Sequence, residues 1–336
     1  MTKQTIAVVI ASLDPDNFLF ENLGSVLLQK IPPGWDFHVV VVANGGPEAS
    51  ALICEKFSVP NDNHSPVILS SKTTLVRTGK STPGSAWNAG ARWAIDHQHA
   101  NWLLFLNSAD HLAEEAFVHF ARRVESQPEP ELAAVYGNLR TWDGSRYRGC
   151  SDHFARAAEG DLSEWVLGGP MLPLGVTLIP VSQFRTIGGF SEIPELNGQE
   201  DWVFLTRLAF SGHIFHVPQL IGGYRRHSQN PAWFPSLQSV DCAVEQLIPF
   251  VREHFKNSPE IAVKKIKFNA TLVKIRALSH RGQYRDAAGL LSHTIWQEVR
   301  ILTDVRTYQI AYDVLSTVAL KLLRPAITDL ARREVR

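Results

Sequence analysis

Residues 39–46 read VVVVANGG, an apolar run that ends in a polar, glycine-rich turn. The run predicts a buried strand over residues 37–43, and the turn predicts that a helix follows. Similar apolar runs at residues 6–12, 67–69 and 103–106 predict further strands, with helical apolar spacing between them. Strands that alternate with helices predict an α/β fold with a parallel sheet covered on both faces. Ligands of such sheets bind beyond the carboxyl ends of the strands, where these turns lie.

Composition limits the classes of protein to which the chain can belong. Its 336 residues suffice for one large domain and a smaller one. Lys+Arg and Asp+Glu are equal at 33 each, which argues against a nucleic-acid partner. The three cysteines are widely spaced and form neither a metal-ligand pattern nor a disulfide framework, which favours a cytoplasmic protein. No window approaches ~18 uninterrupted apolar residues, so no transmembrane span is predicted.

Residues 198–230 carry the strongest chemical pattern, GQEDWVFLTRLAFSGHIFHVPQLIGGYRRHSQN. The acidic pair Glu200 and Asp201 stands at the start of an amphipathic helix that we expect to end at Gly212. A short strand over residues 214–217 and a proline follow, and a second apolar run then leads to YRRH at residues 224–227. A carboxylate pair and a histidine that a strand brings together suit a base- and metal-assisted transfer reaction.

The pattern changes after about Pro235, where long amphipathic helices replace the strands. We therefore predict two domains, an α/β domain over residues 1–235 and an α-helical domain over residues 236–336. An apolar stripe over residues 314–327 predicts helix packing. A homo-oligomer contact and a peripheral membrane contact through these helices are the alternatives.

Seven segments together resemble the family-2 glycosyltransferases, which are inverting enzymes with the GT-A fold. In chain order they are VVIAS at 8–12, VVVVANGG at 39–46, GSAWNAGA at 84–91, LLFLNSAD at 103–110, GGF at 188–190, EDW at 200–202 and YRRH at 224–227. The resemblance covers residues 5–235, and its order makes it more specific than any one segment.

The resemblance implies a function. It implies transfer of a sugar, expected to be a hexose, from a nucleoside-diphosphate sugar to an acceptor hydroxyl, with inversion at the anomeric carbon. The acceptor class would be a glycan, a lipid-linked or a peptide acceptor, as in polysaccharide biosynthesis. The alternative is a catalytically impaired domain of the same fold that binds a sugar nucleotide or glycan, or assists a partner.

The resemblance makes Asp201 the general base that takes the acceptor proton, and Glu200 a neighbour that orients the acceptor or a loop. The competing interpretation is that both carboxylates only stabilise a helix N-terminus through its partial positive charge.

Residues of the donor half are expected to contact the nucleotide or its phosphates: Ser12, Asp14, Asn44, Asn88, Asn107 and Arg225. Turn and cap chemistry explains several of these polar residues equally well. One departure from the family pattern is Ala43, which stands where an aspartate toward the nucleoside is usual.

A second departure concerns the divalent metal, Mn²⁺ or Mg²⁺, that the resemblance implies. Asn107 and Ala109 occupy the two positions of the family's DxD motif, and Asp110 remains. Three interpretations stay open. Asp110 and His227 hold a metal with reduced affinity, or the site works without metal and uses Arg or Lys for charge, or the domain binds without turnover.

Overall fold

The structure is a computed structural model that describes residues 3–13, 15, 17–61, 66–79, 81–126, 131–142, 147–150, 158–167, 172–225, 235–255 and 258–290. It divides into two compact units. The first spans Met1–Val166 and Pro170–Gln229, and the second spans Leu167–Gly169 and Asn230–Arg336.

The first unit is built from strands and helices in alternation. The strands are β1 (Gln4–Ser12), β2 (Trp35–Ala43), β3 (Val67–Ser70), β4 (Thr73–Arg77), β5 (Trp102–Asn107), β6 (His111–Leu112), β7 (Leu132–Trp142), β8 (Tyr147–Cys150), β9 (Thr177–Pro180) and β10 (His213–Arg225). The helices are α1 (Asn17–Leu27), α2 (Pro47–Lys56), α3 (Pro83–His97), α4 (Ala116–Ser126), α5 (Ser163–Val166), α6 (Val181–Thr186) and α7 (Glu200–Ala209).

The strands form one mixed sheet in the order β3-β4-β2-β1-β5-β9-β7-β10-β6, with β8 paired to β7. The neighbouring strands β4, β2, β1 and β5 are parallel, because β1 pairs in parallel with both β2 and β5, and β2 with β4. The edge strand β3 pairs antiparallel with β4. The strand β9 runs antiparallel between β5 and β7, and β7 pairs in parallel with β10. The predicted α/β class with a mostly parallel central sheet is confirmed.

The unbroken apolar runs of the central strands follow from burial on both faces of the sheet. On β1, Val8 packs into one apolar cluster with α1, α2 and α4, whereas Val9 packs into a second cluster with α3 and α7. On β2, Val41 and Val42 divide in the same way. A strand covered on both faces needs apolar residues at every position and so lacks the polar alternation of a half-exposed strand.

The structure corrects the expected assignment of helix and strands over residues 200–225. Residues 214–217 and the second apolar run belong to one strand, β10, whose pairing with β7 shifts register between Val217 and Leu220. Pro218 lies in this irregularity, so the proline does not end the strand. The preceding helix α7 ends at Ala209, earlier than the expected Gly212. The predicted turn at Asp143 and Gly144 lies outside the described residues.

In the second unit, the described elements are α8 (Leu237–His254) and α9 (Pro259–His280). Ser236 caps α8 by accepting a hydrogen bond from the backbone N–H of Ser239 at 2.9 Å. In the described part of the chain, every helix is too short or too polar to cross a bilayer.

Gly90 on α3 allows this helix to lie directly against β1 and β2. A Cβ at Gly90 would stand 2.5 Å from Val9 Cγ1 and 2.8 Å from Val42 Cγ2. We expect Gly90→Ala to lower the free energy of unfolding by about 1–2 kcal/mol in urea titrations, because overpacking outweighs the better helix propensity of alanine.

The matched control is Gly24→Ala on α1, where nothing lies within 4 Å of the added Cβ. This variant should be neutral or more stable by about 0.5–1 kcal/mol. Equal effects of the two substitutions would contradict the close approach of α3 to the sheet.

Candidate active site at the carboxyl edge of the sheet

Three predicted donor-site residues meet where parallel strands end. Ser12 pairs with Ala43 at the end of β1, and Ala11 pairs with Asn107 at the end of β5. The backbone N–H of Asn44 donates to the Ser12 carbonyl at 2.8 Å. The Ser12 hydroxyl is buried and has no hydrogen-bond partner among the described residues. The strands therefore bring Ser12, Asn44 and Asn107 together at one edge.

The Asn44 side chain braces the turn that leads into α3. Its Nδ2 donates to the Ser81 carbonyl at 2.9 Å, and its Oδ1 accepts from Ser81 N at 3.0 Å and Ser81 Oγ at 2.7 Å. Thr82 then caps α3 by accepting from the backbone N–H of Ser85 at 3.0 Å. The structure thus gives Asn44 a bracing role, and its contact with a nucleoside remains a prediction.

The Asn88 side chain joins α3 to the loop that precedes α7. Its Oδ1 accepts from the backbone N–H of Phe190 at 2.9 Å, and its Nδ2 donates to the Phe190 carbonyl at 2.9 Å. The same Nδ2 donates to Glu192 Oε1 at 2.8 Å. No local pattern singles out Glu192, whose partner lies 104 positions away. The expected nucleotide contact of Asn88 remains a prediction beside this brace.

The GGF segment places Phe190 at the centre of an aromatic cluster. Gly188 and Gly189 both have positive φ, at +79° and +76°, a conformation that glycine adopts without strain. Phe190 stacks on Phe204 of α7 with ring centroids 3.9 Å apart, and its centroid lies 4.9 Å from that of Trp87. Because Phe204 is part of α7, this cluster fixes α7 against α3 and the sheet.

The acidic pair stands at the start of α7, as expected. Glu200 is buried, and its Oε2 accepts from the backbone N–H of Gly198 at 2.7 Å, while its Oε1 has no hydrogen-bond partner in the described part of the chain. Asp201 is half-buried, and its Oδ1 accepts from the backbone N–H of Trp202 at 2.8 Å. Asp201 Oδ2 has no hydrogen-bond partner among the described residues.

Burial changes the protonation of both carboxyl groups. It raises the pKa of Glu200 to about 7, and the neighbouring Asp201 carboxylate adds to this rise. Burial also raises the pKa of Asp201 to about 6, against the opposing effect of the Trp202 backbone N–H. Both carboxyl groups therefore take up a proton at a higher pH than exposed carboxyl groups do.

Asp110 closes the turn after β5 and is buried. Its Oδ2 accepts from Asn107 Nδ2 at 2.9 Å, and its Oδ1 accepts from the backbone N–H of Arg225 at 3.2 Å. Burial raises the pKa of Asp110 to about 7, against the lowering effect of the Asn107 hydrogen bond. The structure therefore joins the predicted residues Asn107, Asp110 and Arg225 in one cluster.

The described residues do not fit the divalent metal that the resemblance implies. Both oxygens of Asp110 already accept hydrogen bonds from protein groups. Within the described ranges, no three His, Cys, Asp or Glu side chains lie close enough to hold a metal ion. Divalent cations of this kind prefer several oxygen ligands, at least some of them carboxylates. The described residues around Asp110 thus do not form a metal site by themselves, and its expected role as a metal ligand remains a prediction.

Two predicted site residues, Asp14 and His227, lie outside the described residues, and so does Arg226. Their expected roles in nucleotide and metal binding remain predictions.

Comparison with solved structures finds this arrangement of strands and helices in two glycosyltransferases of the GT-A type. Residues 1–349 of S. aureus TarS, solved with UDP-GlcNAc, match with a TM-score of 0.58 and 14% identity over 94% of this chain and 82% of that chain. Mannosyltransferase PcManGT from Pyrobaculum calidifontis, solved with GDP-Man and Mn²⁺, matches with a TM-score of 0.55 and 16% identity over 96% of this chain and 87% of that chain. The chain has the GT-A fold, as the sequence predicted.

No protein-family model matches the sequence, and no curated protein matches it by sequence. The likeness to TarS and PcManGT is therefore one of fold.

The protonation of Glu200 yields a stability prediction. Its folded-state pKa of about 7 lies above the ordinary 4.5, so wild-type stability falls as the pH rises between these values. Glu200→Gln keeps the shape and the contact with Gly198 N without a charge. We expect it to be more stable than wild type by on the order of 2 kcal/mol at pH 8 in urea unfolding.

This advantage should shrink as the pH falls from 7 and disappear below the ordinary pKa of 4.5, where the wild-type carboxyl is protonated in both states. The matched control is the exposed Glu195→Gln, which should change stability little at either pH. A Glu200→Gln protein that is less stable than wild type at pH 8 would contradict the burial of an ionisable Glu200.

Proposed function

We propose that this protein is an inverting glycosyltransferase that uses a nucleoside-diphosphate sugar as donor and Asp201 as its general base. One observation carries the proposal. The chain has the GT-A fold, and at the start of α7 a half-buried carboxylate keeps one oxygen without a hydrogen-bond partner. A base needs a lone pair that the protein has not already engaged.

The donor class follows from the solved structures of similar fold. TarS was solved with UDP-GlcNAc and PcManGT with GDP-Man, both nucleoside-diphosphate hexoses. In this chain, the nucleotide would lie at the strand ends that carry Ser12, Asn44 and Asn107. The buried Ser12 hydroxyl without a protein partner supports this placement, because such a group costs free energy unless a ligand or water satisfies it.

The reaction has a single displacement step. The acceptor hydroxyl oxygen forms a bond to the anomeric carbon as the bond from that carbon to the diphosphate oxygen breaks. The hydroxyl proton passes to Asp201 Oδ2, and the electron pair of the broken bond leaves with the nucleoside diphosphate. One carboxylate base suffices, since no leaving sugar has to be protonated as in glycoside hydrolysis.

The different roles proposed for Glu200 and Asp201 are based on the surroundings of the two carboxyl groups. Glu200 is held by Gly198 N, and burial raises its pKa to about 7, so near neutral pH a fraction of it is protonated. Its role in the proposal is to orient the acceptor or the loop, and proton removal falls to Asp201.

Asp201→Asn removes the base while keeping the shape of the side chain. With a donor and acceptor pair identified from a screen of UDP- and GDP-sugars, transfer should fall by at least ~10²-fold. Donor affinity in calorimetry should change little, because the base meets the acceptor. Glu200→Gln is the matched control and should lose less activity. Unchanged turnover in Asp201→Asn would remove the mechanism.

The pKa of Asp201 sets the acid limb of the pH profile. Because the base must be ionised, kcat/KM for the acceptor should decline as the pH falls below about 6. A rate that is flat from pH 8 to well below this value would show that a different group removes the proton.

A second candidate function is a domain of this fold that binds a sugar nucleotide without turnover. The turn at residues 107–110 favours it. Asn107 and Ala109 stand there in place of the carboxylates of the DxD motif, and Asp110 accepts hydrogen bonds from protein groups. Nucleotide-sugar binding by the wild type without transfer to any acceptor in a broad panel would favour this candidate.

A further inference from the structure

The Arg225 side chain lies against the turn after β5, at residues 109 and 110. It is buried, and it comes from the end of β10, which pairs with β6 directly after that turn. Its Nε donates to the Ala109 carbonyl at 3.2 Å, and its backbone N–H donates to Asp110 Oδ1. Arg225 thus holds two successive residues of the turn from one side.

Helix α1 holds the guanidinium and the turn from the other side. Arg225 Nη2 is paired with Glu21, and the guanidinium carbon lies 4.0 Å from the centroid of the Phe18 ring. Asn22 Nδ2 donates to the Asn107 carbonyl at 2.6 Å. A planar cation that binds a carboxylate and a carbonyl in its plane and an aromatic ring on its face is well fixed.

The residue types at the two DxD positions agree with this arrangement. An aspartate at position 107 would place a second carboxyl group beside Asp110, and two such carboxylates repel each other unless a cation or a shared proton lies between them. Asn107 instead donates a hydrogen bond from Nδ2 to Asp110 Oδ2, and this pair needs no cation. Ala109 offers only its carbonyl, which Arg225 already occupies.

We propose that the Arg225 guanidinium takes over from a divalent cation the task of holding the 107–110 turn, so that a nucleoside diphosphate binds this chain without metal. The metal-free turn is a property of the chain itself, and the nucleotide part rests on the proposed function. Arg225 acts here as a positioning residue, because it binds the turn at Ala109 and Asp110 and contacts Glu21 and Phe18 of α1.

The first test uses the metal alone. Mn²⁺ is titrated into wild-type protein, and the signal of free Mn²⁺ is followed by electron paramagnetic resonance. We expect weak, non-stoichiometric binding that Asp110→Asn does not change. Stoichiometric binding at micromolar Mn²⁺ that Asp110→Asn or His227→Ala abolishes would overturn the inference, whatever the fate of the proposed function.

The second test measures thermal unfolding. Arg225→Met should lower Tm by on the order of 5 °C, because it removes a buried cation from its partners. Arg225→Lys keeps the charge without the planar fork and should lose an intermediate amount. The matched control is the exposed Arg185→Met, which should leave Tm nearly unchanged. A Tm of Arg225→Met equal to that of the control would overturn the bracing role.

The third test separates positioning from stability. UDP and GDP are titrated by calorimetry with excess EDTA or with Mn²⁺, at a temperature where every variant is folded. Wild type should bind its preferred nucleotide with the same affinity, within about twofold, in both media. If the guanidinium holds the turn, Arg225→Met should bind the nucleotide at least ~10-fold more weakly than wild type in EDTA. Arg225→Lys should lose less affinity, and Arg185→Met should bind like wild type.

Nucleotide binding by wild type that disappears in EDTA would overturn the inference while supporting the proposed function. Failure of both nucleotides to bind in either medium would count against the proposed function. The metal titration and the Tm series would then still decide whether Arg225 replaces the cation at the turn. If Arg225→Met does not fold, the Arg225→Lys variant carries the comparison.

Discussion

The hydrogen bonds between the Asn88 side chain and both backbone polar groups of Phe190 are the constraint on which the site depends. They fix the loop before α7 to the first turns of α3, which itself packs on β1 and β2 through Gly90. With Phe190 stacked on Phe204, α7 cannot shift without breaking buried contacts. The carboxylates at the start of α7 are thereby held relative to the strand ends, and a transfer reaction requires such fixed geometry.

The carboxyl groups in the two halves of the site differ in their hydrogen bonds, although burial raises the pKa of each. At the start of α7, Glu200 and Asp201 are acidic groups in partly dehydrated surroundings, and burial raises the pKa of each. At the turn after β5, the carboxyl group of Asp110 is surrounded by donors, and the guanidinium of Arg225 lies beside it. At the start of α7, Asp201 Oδ2 has no hydrogen-bond partner among the described residues, whereas both carboxylate oxygens of Asp110 accept hydrogen bonds. This contrast supports Asp201, and not Asp110, as the reactive carboxylate.

Much of the fold was predictable because fully buried strands leave unbroken apolar runs, as on β1 and β2, and the motif order added the GT-A class. The position of Glu200 and Asp201 at a helix start was predictable from helix periodicity. Pro218 misled the strand assignment, since an irregular register lets a proline lie within β10. The pairing of Arg225 with Glu21 joins residues 204 positions apart, and no local pattern indicates such a contact.

Hydrogen–deuterium exchange with and without saturating UDP or GDP tests most directly whether the carboxyl edge of the sheet is a donor site. Backbone amides of residues 12–13, 44–46, 78–79, 81–82 and 107–110 should exchange more slowly when the nucleotide is bound, because these segments lie at or just after the ends of β1, β2, β4 and β5. Helices α8 and α9 should show little change. Protection confined to those helices, or none anywhere with either nucleotide, would contradict a donor site at this edge.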